Sequence, residues 1–295
     1  LGAVELCSGV DAAAESVRGG GMGRQFAAMF SLPPENLVTF LIPRFFGDMD
    51  GLAYWGRGYL WEMCLFVGVT GLFLTLYGVA RGERRDVRIC VAVVAVMLIG
   101  ALGAYASFFD VLYQWLPYYS HFRGASKFCF LALLFIAPLA AGGFDRLLRD
   151  TKPPRGVVIT LAVAVLLMAA VGVGLRTGVG AETWAALVSS QGGSTDDYLL
   201  PSVRANPAFI DATRSFAGLQ LILCAVATAV LAVLLGCARR RPRLLYGVAV
   251  LAVAEMLAFD GDFRPTFPLA DVRCEFAAQH MAGLGADDRV PIRPM

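Results

Sequence analysis

Charge is what this sequence has least of. Only 16% of its 295 residues are Asp, Glu, Lys or Arg, against about a quarter in a soluble domain. The charges that exist nearly cancel, at a net +2, so no global basic field favours nucleic acid. Histidine occurs twice, and His121, between aromatics, has no residues in reach for a catalytic triad. The seven cysteines form no CxxC pair. Cys64, Cys90, Cys129 and Cys224 lie in apolar runs and read as small buried hydrophobes, not as a disulfide or zinc framework. No phosphate loop, zinc signature or nucleophile elbow is present, so nothing implies ATP hydrolysis. No cofactor is evident.

What is abundant is apolar surface. The chain is 58% hydrophobic with a mean hydropathy of +0.65, the composition of a membrane protein. A bilayer span needs about 20 apolar residues. Six stretches qualify, at residues 59–80, 89–109, 128–144, 156–175, 215–238 and 244–259. None alternates with period two as a strand would. Pro138 lies inside the third and predicts a kink.

The connections predict orientation. Residues 81–88, 145–155 and 239–243 each hold four Lys or Arg. The alternate connections, 107–124 and 177–213, hold one basic residue each, Arg123 and Arg204. By the positive-inside rule the basic connections are cytoplasmic. Residues 16–58 and the C-terminus are then extracytoplasmic. Within 32–62, Pro33, Pro34 and Pro43 bracket a short apolar run. That pattern predicts one short helix over 34–42, lying on the membrane face, with Glu35 in its first turn and Pro43 as its stop.

The expected fold is therefore all-α and polytopic: a truncated N-terminal helix at 1–15, an extracytoplasmic loop with an interfacial helix at 16–58, six transmembrane helices over 59–259, and an extracytoplasmic segment from 260 on. In that tail, 271–283 predicts a short amphipathic helix and 288–293 the start of a strand. A first residue other than Met, amid apolar sequence, fits an internal fragment of a longer protein.

Arg123 and Lys127, four residues apart beside aromatics, suit a lipid phosphate if a helix carries both on one face. Interfacial snorkelling explains them equally in kind. Glu62 and Glu255 are acids in or near spans, costly there and often functional. Asp48 and Asp50 have a spacing that can hold a divalent ion, and a polar turn between glycines accounts for them too. Asp196 and Asp197 read the same way.

Several runs carry a resemblance to a known family. They are 15–21 (Glu-Ser-Val-Arg-Gly-Gly-Gly), 32–37 (Leu-Pro-Pro-Glu-Asn-Leu), 42–47 (Ile-Pro-Arg-Phe-Phe-Gly), 54–57 (Tyr-Trp-Gly-Arg), the 116–123 turn and 143–147 (Gly-Phe-Asp-Arg-Leu). Over residues 15–150 the chain resembles the bacterial YfhO-like membrane proteins, which are similar to GT-C type glycosyltransferases. The resemblance implies a multi-pass protein of the bacterial cytoplasmic membrane. It implies transfer of a sugar from a polyprenyl-phosphate carrier to a cell-envelope acceptor. It also implies that the catalytic acid lies in a first outer loop upstream of Leu1, so the catalytic residue is not identified in this chain. Arg123 and Lys127 match the family's Phe-Arg turn and become the candidates for donor phosphate. Arg18, Glu35, Arg44, Trp55, Arg57 and Glu255 are the second rank. The alternative is a non-enzymatic membrane transporter or structural subunit for lipid or polysaccharide, for which paired broken helices and internal repeats are the signature.

Overall fold

A computed structural model describes residues 19–48, 51–82, 84–150, 153–192 and 198–263, with 8, 9, 12 and 15 besides. The expected N-terminal helix lies almost wholly outside the described residues, as does the predicted helix at 271–283. The strand-like 288–293 does too. The chain divides into two units, Leu1–Met256 and Leu257–Met295. The second is described only through Phe263, where the last helix ends.

Six longer helices carry the fold: α1 (Val69–Arg81), α2 (Arg84–Ala101), α3 (Phe128–Asp150), α4 (Arg155–Thr177), α5 (Pro207–Ala238) and α6 (Leu245–Phe263). Among the described residues there is no strand. Among the described residues, four ranges are long and apolar enough to cross a membrane: Ala125–Asp150, Arg155–Thr177, Pro207–Ala238 and Pro242–Gly261. Their exposed faces are lined with Leu, Val and Ile, a surface that fits a lipid bilayer.

These four correspond to the last four predicted stretches. Helix α3 continues through Pro138. Helix α5 begins at Pro207, well before the apolar run, because Asn206 caps it by accepting from the Ala208 N–H at 2.9 Å and Pro207 suits the first turn.

The first two stretches take a different form. Residues 59–80 are split: a single turn, Leu60–Met63, then extended backbone, then α1. The break follows from pairing outside any helix. The N–H groups of Val67 and Gly68 both donate to the Phe40 carbonyl, at 3.0 and 3.1 Å, and Gly68 has φ +78°. Of residues 89–109, only 89–101 belong to α2, which starts earlier among arginines and stops at Ala101; a 3-10 turn, Gly103–Tyr105, follows. The Ala101 carbonyl accepts from the Leu32 N–H at 2.8 Å.

Residues 32–67 thus fold back into the helices. The predicted short helix is a 3-10 helix, Pro34–Phe40, and its Asn36 and Thr39 are buried. Their polar atoms, apart from Asn36 Oδ1, which has no hydrogen-bond partner among the described residues, are engaged within the segment. Asn36 Nδ2 donates to the Tyr54 hydroxyl (2.9 Å) and the Met63 carbonyl (3.1 Å). Thr39 Oγ1 donates to the Asn36 carbonyl and accepts from the Leu65 N–H. Irregular backbone at such depth is tolerated only when protein surrounds it and pairs it. Ile42 joins the core that α1, α3, α5 and α6 share, beside Leu74, Leu147 and Leu231.

Two helix pairs make the framework. Helix α1 packs on α3, and α4 on α5. Each crossing occurs at a pair of glycines. A Cβ on Gly143 would meet the Leu74 carbonyl at 1.9 Å, and one on Gly78 the Leu139 carbonyl at 2.2 Å. A Cβ on Gly172 would meet the Gly218 carbonyl at 2.8 Å, and one on Gly218 the Gly172 carbonyl at 2.7 Å. Without Cβ atoms the backbones come into direct contact, which is how membrane helices gain packing energy. Basic residues flanking the turns gather at one end: Arg81 shares a cavity with Arg146 and Arg149, and Arg155 another with Arg239 and Arg240. Arg239 there donates to the Pro153 carbonyl.

Candidate functional site

The opposite end is built from loops, and the cations predicted there converge on one cavity. Gly124 is left-handed, and its N–H donates to the Met29 carbonyl (3.0 Å), while the Ser126 N–H donates to the Phe30 carbonyl (3.1 Å). This fastens the 122–127 turn onto residues 26–30. Arg123 lies outside any helix, and Ala125–Lys127 is a 3-10 turn leading into α3. The shared helical face expected for Arg123 and Lys127 is therefore not formed, because Gly124 turns the backbone between them. Both nevertheless line one cavity of about 460 Å³ with Tyr119, Phe122 and Phe128.

The two cations are held differently. The Arg123 guanidinium sits over Phe26 and Phe30, 5.2 Å from each ring centroid, and pairs with no carboxylate among the described residues. Its Nη1 donates to Met29 Sδ at 4.0 Å, a weak acceptor, and the other donors of a planar cation fixed by stacking can face the cavity. The Lys127 side chain is 61% exposed, and its Nζ lies 3.4 Å from Glu62 Oε1. Glu62 is mostly buried and accepts from Ser126 Oγ at 3.4 Å.

Tyr59 packs edge-on against Phe30, 5.0 Å away, and lines a second cavity. A cleft of about 490 Å³ is lined by Asp48, Tyr54, Tyr59, Trp61 and Tyr198. The Tyr59 ring lies 6.2 Å from Trp61 and 6.0 Å from Tyr198, both edge-on. Trp61 and Tyr198 are 57% and 70% exposed. Sequence reasoning missed Tyr59, Trp61 and Tyr198, because the first two open an apolar stretch. The available signal was that Trp and Tyr gather at membrane interfaces.

The second-rank residues form the frame. Glu35 and Arg57 pair at 2.9 Å. Arg57 also donates to Gln191 Oε1 at 3.3 Å and sits over the Tyr105 ring. Trp55 is fully buried against Phe46 and Trp184, with centroids 4.8 and 5.5 Å away. Its carbonyl accepts from the buried Arg204 at 2.7 Å. Arg44 pairs with Asp48, whose Oδ1 accepts from the N–H groups of Gly51 (2.6 Å) and Leu52 (2.9 Å). Burial alone would raise the Asp48 pKa. Arg44 and the two N–H groups outweigh it and hold the carboxyl below its ordinary value. These bonds make Asp48 the organiser of its turn.

Glu255 caps α1 from across the bundle. Its two oxygens accept from the N–H groups of Val69 (3.1 Å) and Thr70 (3.0 Å), where a negative charge meets the positive helix end. His121 contacts Ser120 and the Gly19 carbonyl at 3.4 and 3.3 Å. Arg18, Asp50, Asp196 and Asp197 lie outside the described residues. Among the described residues no three His, Cys, Asp or Glu side chains are grouped to hold a metal ion. No protein-family model, no curated protein and no solved structure matches this chain.

Proposed function

We propose that the chain is part of a bacterial cytoplasmic-membrane glycosyltransferase, crossing the membrane six times with its basic connections inside. In this reading the loop-built end faces outward and holds a polyprenyl-phosphate-linked sugar. Arg123 and Lys127 take the phosphate, and the Tyr59, Trp61 and Tyr198 rings take the sugar. The single observation that carries it is that two cavities lie close together: a stacked arginine and an exposed lysine line one, an aromatic cleft forms the other, and the Tyr59 ring of the cleft packs edge-on against Phe30, under Arg123, at 5.0 Å.

The chemistry follows from charge. As the acceptor hydroxyl bonds to the anomeric carbon, the bond from that carbon to the carrier phosphate breaks. The phosphate leaves with the electron pair. Cations fixed before the reaction stabilise that charge most. Glu62 keeps Lys127 at the cavity until phosphate replaces it. The hydroxyl proton passes to a general base.

The test is sugar transfer from polyprenyl-phosphate-linked donors, in membranes carrying the full-length protein at matched levels. Arg123→Ala and Lys127→Ala are each expected to lower transfer by about tenfold or more, the weight of a charge-assisted hydrogen bond. Undiminished transfer in both variants sinks the assignment.

A further inference from the structure

At the end of the molecule away from Arg123, α1 and α4 leave a groove between them. Leu72, Phe73 and Leu76 of α1 form one wall, and Val157, Leu161 and Ala164 of α4 the other. Cys224 and Thr228 of α5, both buried, form the floor. The volume is about 650 Å³. Along α4 the lining runs from Gly156 to Met168, about 18 Å at 1.5 Å per residue. One leaflet of a bilayer has about 15 Å of hydrocarbon, half of the ~30 Å core. The groove is therefore as long as one leaflet's acyl chain.

Its mouth is basic. Arg81 lines the groove and also a smaller cavity of about 270 Å³ shared with Asp86, Asp145, Arg146 and Arg149. Two acids at this end already have partners. Asp145 pairs with Arg149 at 2.7 Å, and Asp150 accepts from the Tyr77 hydroxyl at 2.6 Å with Arg146 at 3.8 Å. Among the described residues no carboxylate pairs with Arg81. Across the mouth, Pro154 forms the other lip, next to Arg155 and to the Arg239 contact with Pro153. A monoanionic phosphate above an apolar tail matches this layout, cation at the rim and hydrocarbon below.

We infer that the α1–α4 groove binds one anionic membrane phospholipid, with an acyl chain between Leu76 and Ala164 and its phosphate on Arg81. This site is separate from Arg123 and Lys127 and stands whether or not the chain transfers sugar.

The test is native mass spectrometry of the full chain. The chain is released from nanodiscs of equal phosphatidylglycerol and phosphatidylcholine, two lipids with the same tails. One phosphatidylglycerol is expected to stay bound in preference. Arg81→Ala should cut that preference about fivefold, the weight of one interfacial arginine. Ala164→Phe fills the groove and should abolish retention of either lipid. Arg243→Ala removes a charge from the same end but outside the groove, and should change nothing. Equal retention of the two lipids overturns the inference. So does an Arg81→Ala chain that behaves like the parent, or an Arg243→Ala chain that loses as much as Arg81→Ala.

Discussion

Two acids, Asp48 and Glu255, differ in how far away their partners lie. Asp48 sits between Gly47 and Gly51, so a turn was legible, and its partners Arg44, Gly51 and Leu52 all lie within four residues. Glu255 stands out in an apolar run as a costly charge, yet its ligands are N–H groups at the start of α1, 185 and 186 residues away. A sequence exposes the cost of such a group and hides what offsets it. The Asp48 arrangement has a pH signature. Its folded pKa lies below the unfolded value, so it stabilises the fold above the ordinary carboxylate pKa of about 3.9. That contribution is lost as pH falls through the lowered folded value. Asp48→Asn is expected to cost about 1–3 kcal/mol at pH 7, the weight of a charged buried hydrogen-bonding group. Thermal unfolding in detergent should show that gap at pH 7 and its closure toward pH 3. A gap that widens on acidification contradicts the assignment.

Helices were the most legible level, and the reason is length. The four long apolar runs carry enough residues to bridge a bilayer, and hydropathy alone located them. The first stretch reads as one span because Cys64 to Val67 are apolar whether helical or extended. Their state is set by the Phe40 carbonyl, which composition does not reveal. The depth of residues 32–67 was hidden likewise. Prolines mark where helix stops, but not that Asn36, Thr39 and Trp55 become buried. Helix pairing was also invisible, since glycines are scattered through every span. The structure separates those that matter. Gly143→Ala puts a methyl against the Leu74 carbonyl and should destabilise by about 1–3 kcal/mol, the range for overpacking. Gly142 has nothing within 4 Å of an added Cβ. Gly142→Ala should be neutral or stabilising by up to about 1 kcal/mol, the helix-propensity difference. Unfolding of the two variants side by side checks this, and equal effects contradict the α1–α3 crossing.

At the scale of the whole molecule the two ends differ in construction. One end has short arginine-rich connections and the mouth of an apolar groove. The other has long loops that bring Arg123, Lys127, Glu62 and the aromatic cleft together from segments far apart in sequence. The pair Arg123 and Lys127 was legible, as cations where a loop meets a span. Their partners Phe26, Phe30, Glu62 and Tyr59 were not, because loops converge by tertiary packing that periodicity does not encode. The proposed activity requires the loop-built end to face outward. Sidedness is read directly by a membrane-impermeant thiol reagent on cells carrying a cysteine-free full-length protein. Ala205 and Arg243 are both exposed, one at each end. Ala205→Cys should label in intact cells and Arg243→Cys only after permeabilisation. Labelling of Arg243→Cys in intact cells, with Ala205→Cys protected, would contradict the account.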